Sequence, residues 1–166
     1  MGRADGKESE MSERADFLKK LYRMERHVEG GFFSEMYTAP FEHERRPLAG
    51  SIYYLLDAGE VSRFHQIDCD EIWYFHEGCG MKIIALSETG KQEFLLGGNA
   101  LEGERASVVI PKGMIFAAEN LKNDGFTFVS CITVPKFAQS GYRLVDRSEI
   151  EKKYPLYCDE LARLAY

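Results

Sequence analysis

The sequence predicts an all-β fold, a sandwich or barrel, with one helix before it and short helices after it. Between residues 31 and 134, about nine short apolar runs follow one another closely, separated by turn residues. Aromatic residues make up 13% of the chain and fall largely within these runs, as in a β-rich core. The regions on either side have helical spacing of their apolar residues instead.

The N-terminal region is expected to contain a tail and one helix. Residues 1–12 are polar, which predicts a disordered tail. Apolar residues with one-sided helical spacing predict a helix over Asp16–Arg26, with Ser12 as its N-cap. The Gly30-Gly31 pair ends this region. Because 166 residues fit the size of one domain, residues 13–166 are expected to form a single domain.

The predicted strands are bounded by turn signals such as Asp57-Ala58-Gly59 and Asn123-Asp124-Gly125. In chain order they are Gly31–Tyr37, Ser51–Leu56, Val61–Ile67, Glu71–His76, Met81–Ser87, Gln92–Leu96, Ser107–Ile110, Ile115–Glu119 and Phe126–Val134. Short helices are predicted over Arg147–Tyr154 and Cys158–Tyr166, on either side of Pro155.

Composition and charge exclude several classes of function. The net charge of −6 and the absence of a basic stripe argue against a nucleic-acid partner. No apolar run is long enough to span a bilayer, and residues 1–14 lack the apolar core of a signal peptide. The four cysteines show no CxxC pairing, which indicates reduced thiols in a cytoplasmic protein.

One pair of strands carries the strongest candidates for chemistry. Side chains alternate between the two faces of a strand, so an inward-facing His65 would place Arg63 on the same face. An inward Glu71 would likewise share its face with Trp73. A tight turn at residues 68–70 joins these strands, so His65 and Glu71 can meet in one pocket.

Two motifs resemble those of the cupin superfamily. His65, Glu71 and Gly78 match the first cupin motif, and Pro111, Gly113 and Asn120 match the second. The chain is more closely similar to the cupin branch called DUF985 or cupin_5, through four segments in the same order. These are His27-Val28-Glu29-Gly30-Gly31-Phe32-Phe33-Ser34-Glu35-Met36-Tyr37, Ser51-Ile52-Tyr53-Tyr54-Leu55-Leu56, Asp70-Glu71-Ile72-Trp73 and Ser130-Cys131-Ile132-Thr133-Val134-Pro135.

The resemblance implies a double-stranded β-helix, or jelly roll, that is usually dimeric and is related in fold to sugar-nucleotide epimerases. It implies no particular activity, because fold alone does not determine function. A homodimer is also suggested by Phe64, Tyr74 and Tyr54, apolar residues expected on the sheet face opposite the pocket.

The chain departs from the cupin metal site, which uses three His and one Glu. Ile67 and Phe116 stand at the second and third His positions, and neither side chain can bind a metal. A transition-metal ion normally needs at least three protein ligands, so His65 and Glu71 alone would hold one weakly. We therefore expect no cofactor, and keep a divalent metal on these two residues as the alternative.

His65 and Glu71 are the candidate catalytic pair, since a carboxylate beside an imidazole can move a proton next to a carbonyl. They can equally be a buried polar pair that only stabilises the fold. Aromatic residues that either line the pocket or fill the core are Phe33, Tyr37, Tyr53, Trp73 and Phe116. Glu35 and Arg63 are a candidate ion pair that can also recognise a ligand.

Three functions remain open at this stage. The first is a metal-independent site for a small sugar-like or acidic metabolite, with isomerase or epimerase chemistry. The second is a ligand-binding module without catalysis, and the third is a metal-dependent cupin enzyme. All three place a small-molecule ligand in the barrel.

Overall fold

Two antiparallel β-sheets face each other in the computed structural model, which describes the backbone of residues 4–166 and the side chains of residues 10–166. The strands are β1 (Glu25–Arg26), β2 (Phe32–Thr38), β3 (Glu42–His43), β4 (Arg46–Pro47), β5 (Gly50–Leu56), β6 (Val61–Ile67), β7 (Asp70–Gly78), β8 (Met81–Ser87), β9 (Gly90–Leu96), β10 (Ser107–Ile110), β11 (Ile115–Asn120), β12 (Thr127–Val134) and β13 (Tyr142–Leu144). The α-helices are α1 (Ala4–Leu21), α2 (Arg147–Lys153) and α3 (Cys158–Leu161). Short 3-10 helices span Ala100–Glu102, Gln139–Gly141, Pro155–Tyr157 and Ala162–Leu164.

The two sheets have six and five strands. The order in the first is β1-β2-β5-β12-β7-β10, and the order in the second is β13-β6-β11-β8-β9. Strands β3 and β4 form a separate hairpin. Between the sheets lies an apolar core that includes Leu56, Ile83 and Val129. The predicted all-β jelly roll, with a helix before it and short helices after it, is therefore confirmed.

All nine predicted strands are present, each within two residues of its predicted ends. The strands that the sequence did not reveal are β1, β3, β4 and β13. Each has only two or three residues. Such segments are too short to show an alternating pattern, and their pairing is determined by the strands beside them in the fold.

Helix α1 differs from its prediction at both ends. It begins at Ala4, so the stretch expected to be a polar tail is helical from that residue, and Ser12 lies inside the helix rather than at its cap. Residues 1–3 lie outside the described part of the chain. The helix ends at Leu21, before Arg23 adopts a left-handed φ of 51°. Residues 25 and 26, predicted as helix, pair with β2 instead.

The helices cover the outer faces of both sheets. Ala15 and Leu18 of α1 pack with Leu55 and Phe128 against the six-stranded sheet. Ile150, Leu161 and Leu164 from the C-terminal helices pack with Phe64 and Ile84 against the five-stranded sheet. At the start of α2, the Asp146 carboxylate accepts a hydrogen bond of 2.9 Å from the Glu149 N–H and caps the helix. No helix among the described residues is long and apolar enough to cross a membrane.

The residues that suggested a dimer do not lie together on an open face, which corrects that part of the prediction. Phe64 is buried beneath the C-terminal helices, and Tyr54 faces the space between the sheets. Tyr74 is exposed on the outside of the six-stranded sheet, where Val109 and Val134 are exposed too. The homodimer stays a prediction, and it now depends on this apolar face of Tyr74, Val109 and Val134.

We expect sedimentation velocity at micromolar concentration to show a particle of twice the mass of one chain. Val109→Glu should shift it to the monomer, because the substitution places a charge on the apolar face. Leu156 is exposed on the 3-10 helix Pro155–Tyr157, in the C-terminal region that covers the other sheet. Leu156→Glu is therefore the matched control and should leave the dimer intact. A monomeric wild-type protein would refute the dimer.

Candidate functional site

A cavity of about 470 Å³ opens between the two sheets. The five-stranded sheet contributes His65 and Ile67 from β6, and the chain between β1 and β2 closes one side. The residues that line it are Glu25, Arg26, His27, Val28, Glu29, Phe33, Glu35, Gly50, Ser51, Ile52, Tyr54, His65, Ile67, Glu71, Trp73, Cys131, Thr133, Lys136, Phe137 and Gln139. This volume is of the size that small-molecule sites have, roughly 300–1,000 Å³.

His65 is a buried, neutral imidazole on the wall of the cavity. Its Nδ1 lies 2.7 Å from the Arg63 carbonyl oxygen. A carbonyl can only accept, so Nδ1 carries the proton and Nε2 keeps a free lone pair. Burial lowers the pKa of His65 to about 4, and the carbonyl contact opposes this only in part. The ring is therefore uncharged near neutral pH.

Glu29 enters the cavity from the loop before β2 and is not among the site residues that the sequence predicts. Its Oε2 accepts a hydrogen bond of 3.1 Å from Ser62 Oγ and lies 3.4 Å from His65 Nδ1. Burial raises the pKa of Glu29 well above its usual range, and the nearby Glu71 charge raises it further. Desolvation between the sheets therefore favours the protonated form of Glu29.

The loop that carries Glu29 is anchored by its backbone. The Arg63 N–H donates to the Glu29 carbonyl oxygen at 3.0 Å, and the Tyr54 hydroxyl donates to the Gly30 carbonyl oxygen at 2.8 Å. Gly30 has a φ of 118°, a conformation that favours glycine. The Gly30-Gly31 pair was a visible turn signal, but it did not indicate that the preceding carboxylate points between the sheets.

Glu71 is the second buried carboxyl group of the cavity. Burial raises its pKa to about 7, although the Trp73 indole and the Cys131 thiol act in the opposite direction. The Trp73 Nε1–H is buried and lacks a partner with hydrogen-bond geometry. Both forms of Glu71 are therefore populated near neutral pH.

His27 completes the polar lining from the same loop as Glu29. Burial lowers its pKa to about 4, so it is neutral as well. Its ring contacts the edges of Phe33 and Tyr54, with centroids 4.8 and 5.9 Å apart. His27 is not among the residues that the sequence predicts at the site, because its position before a Gly pair gives no sign of burial.

Five of the predicted site residues line the cavity: Phe33, Glu35, His65, Glu71 and Trp73. Their functional roles remain predictions. Glu35 lies at the mouth with an exposed side chain, and its carboxylate accepts from Lys136 Nζ at 2.8 Å. The predicted pairing of Glu35 with Arg63 is wrong, because a residue distant in sequence supplies the partner.

Arg63 does not face the cavity, which corrects its predicted position. His65 pairs with Phe116 and Ser62 pairs with Ala118, so β6 has one residue more than β11 in this stretch. This β-bulge breaks the alternation, and Ser62 and His65 both face inward. The Arg63 side chain instead donates to the Ala165 carbonyl oxygen at 3.0 Å, on the far side of the sheet.

Tyr37 is displaced from the predicted site by a second bulge. Glu35 pairs with Ile52 and Tyr37 pairs with Ser51, so β2 has one extra residue opposite β5. Tyr37 is consequently exposed and does not line the cavity.

Tyr53 and Phe116 are packing residues rather than lining residues. Tyr53 faces α1, where its ring lies 4.4 Å from that of Tyr22 between centroids. Phe116 is fully buried behind His65, with ring centroids 4.1 Å apart. It therefore supports the imidazole from the core and leaves the cavity open.

The donor set does not fit a metal centre. Among the described residues, no group of three or more His, Cys, Asp or Glu side chains is arranged to hold a metal ion. Ile67 lines the cavity at one of the positions where a cupin has His, and Phe116 is packed in the core at the other. All four cysteines are free thiols.

Comparisons with known proteins agree with the fold. A family model described as "Cupin superfamily (DUF985)" matches residues 16–145. The crystal structure of protein SO0799 from Shewanella oneidensis is similar, with 36% identity, a TM-score of 0.87, and coverage of 92% of this chain and 97% of that one. A hypothetical protein from Leishmania major shares the fold, with 22% identity, a TM-score of 0.85, and coverage of 92% and 98%.

A relative of known sequence is the uncharacterized protein YML079W from Saccharomyces cerevisiae. It is 25% identical over 164 residues, which are 87% of this chain and 81% of the relative. These similarities extend over most of each protein and assign no reaction to any of them.

Proposed function

Because this chain belongs to the cupin superfamily (DUF985), we propose that its barrel cavity binds a small polar metabolite, sugar-like or acidic, and transfers a proton next to a carbonyl group without a metal. The observation that supports this most is the buried Glu71, whose pKa of about 7 suits proton transfer at neutral pH. Carboxyl groups whose pKa values are strongly shifted by burial in a cleft cluster at functional sites.

The two candidate catalytic residues have different roles in this proposal. The Glu71 carboxylate accepts the proton from the carbon beside the carbonyl, and the electron pair of that C–H bond moves toward the carbonyl oxygen. If Glu71 returns the proton to the former carbonyl carbon, and the proton of the neighbouring hydroxyl passes to the former carbonyl oxygen, the substrate is isomerised. Return of the proton to the opposite face of the original carbon epimerises it. Neutral His65 offers its Nε2 lone pair to a substrate hydroxyl and orients it.

Glu29 acts as a positioning residue through His65. Its carboxyl group lies behind the imidazole, on the side of Nδ1. Glu29 accepts from Ser62 and lies against the Nδ1 side of the His65 ring, and it thereby helps to hold the ring in one orientation.

The binding proposal is tested by what the protein retains during purification. We expect mass spectrometry of extracts from gently purified wild-type protein to reveal a small metabolite that is missing from the His65→Ala/Glu71→Gln double variant. Glu102→Gln, an exposed carboxylate outside the cavity, is the control and should retain it. Equal recovery from the double variant would contradict binding at this site.

Catalysis is tested separately from binding. With the recovered metabolite in deuterated water, proton NMR should show loss of the signal of the hydrogen next to the carbonyl, and Glu71→Gln should slow this exchange by about 100-fold or more. Binding without any exchange would identify the protein as a ligand-binding module, the second candidate function.

A further inference from the structure

No cationic side chain in the described part of the cavity lining is free to bind an anionic ligand. Among the lining residues that the structure describes, the cationic side chains are Arg26 and Lys136. The Arg26 guanidinium pairs with Glu60 and lies 4.6 Å from the centroid of the Phe32 ring. Lys136 Nζ lies 2.8 Å from the Glu35 carboxylate. Both charges are already neutralised at the mouth.

The carboxyl groups inside the cavity lack such partners. Glu29 and Glu71 are 7% and 8% exposed, and no Lys or Arg among the described residues forms an ion pair with either. A buried carboxylate without a cation costs several kcal/mol, so a cationic ligand group would be stabilised here and an anionic one repelled.

The aromatic wall adds two features that suit such a ligand. Phe33, Tyr54 and Trp73 line the cavity, and aromatic faces attract cations. Trp73 is 2% exposed, and its Nε1–H makes no hydrogen bond of standard geometry. A ligand oxygen would satisfy this buried donor.

We propose that the ligand carries a cationic nitrogen that pairs with one oxygen of the Glu71 carboxylate, which leaves the other oxygen for proton transfer. The ligand also carries an oxygen that accepts from Trp73 Nε1, and carboxylate and phosphate ligands are excluded. Amino sugars and amino alcohols have this combination. The inference rests on the proposed function and narrows its ligand class from sugar-like or acidic molecules to sugar-like amines.

Fluorescence quenching tests the charge preference, because Trp73 is the single tryptophan of the chain and reports on the cavity wall. The probes are neutral acrylamide, cationic N-methylpyridinium and anionic iodide, used at pH 8 and constant ionic strength. Each quenching constant is divided by that of free N-acetyltryptophanamide. We expect the pyridinium constant to exceed the iodide constant at least about threefold, since a unit charge nearby changes local ion concentrations by this order.

The ratio of the pyridinium constant to the iodide constant should fall toward one in Glu71→Gln and stay unchanged in the exposed control Glu102→Gln. An iodide constant equal to or above the pyridinium constant in the wild-type protein overturns the inference without any variant, as does an unchanged ratio in Glu71→Gln. If acrylamide fails to quench Trp73, the cavity is closed to solutes and the proposed function fails as well. Quenching by acrylamide without charge preference overturns the ligand class alone.

Discussion

Glu71→Gln should raise the free energy of unfolding by about 3 kcal/mol at pH 8, and by less than about 1 kcal/mol at pH 5. Burial raises the pKa of Glu71 to about 7, whereas an unfolded chain has a glutamate near its ordinary value of 4.5. The folded state therefore binds more protons between these two values. The contribution of Glu71 to stability is therefore greatest below pH 4.5 and is lost as the pH rises through 7.

Glutamine keeps the shape of the protonated side chain and cannot ionise, so the variant avoids the cost of a buried charge. Urea unfolding followed by circular dichroism at the two pH values measures the difference. The exposed control Glu102→Gln should change stability by less than about 0.5 kcal/mol at both. An equal effect of Glu71→Gln at pH 5 and pH 8 would show that its pKa is not raised.

The two buried histidines change stability with pH in the opposite direction to Glu71. The effect of Glu71 is therefore measured as the difference between the variant and the wild-type protein. Burial lowers the pKa values of His27 and His65 to about 4, from 6.5. Their contribution to stability is present above pH 6.5 and is lost as the pH falls through 4. Both histidines remain in Glu71→Gln, so their contribution cancels in the difference.

Gly30→Ala should destabilise the protein by about 3 kcal/mol or more. A Cβ atom at this position would meet the carbonyl oxygen of Val61 directly, and the backbone has a φ of 118°. The loop would have to move away from β6, and Glu29 would move with it. Thermal or urea unfolding measures the loss.

Gly59→Ala is the matched control for this prediction. Gly59 also has a positive φ, 72°, but a Cβ atom there would meet nothing within 4 Å. Its substitution should cost about 1 kcal/mol, the price of the left-handed conformation for a side chain. If both variants lose the same amount of stability, the clash of the added Cβ atom with Val61 contributes nothing to the loss in Gly30→Ala.

The local patterns of the chain were sufficient for the strands. The alternation of apolar side chains and the Gly and Asp turn signals are both visible within a few residues of sequence. For this reason β6 and β8 were predicted at their observed bounds. The positions of His65, Glu71 and Trp73 on the cavity wall also followed from alternation. The expectation that Ile67 and Phe116 leave the set of metal ligands incomplete stays a prediction.

The rule that side chains alternate between the two faces of a strand failed at two β-bulges. The extra residue in β6 turns Arg63 away from His65, and the one in β2 turns Tyr37 outward. A bulge is defined by the pairing of two strands, and its position depends on a partner that is distant in sequence. Counting along one strand therefore placed both residues on the wrong face.

By itself, the sequence determined the two-sheet barrel and one inward-facing His and Glu on neighbouring strands, because these depend on spacing within single segments. Only the tertiary structure brought Glu29 and His27 beside them and paired Glu35 with Lys136. Burial between the sheets removes water from these groups, and this desolvation moves the pKa of Glu71 to about 7. Whether a side chain is a proton carrier or a surface charge depends on that enclosure, which arises from segments distant in sequence.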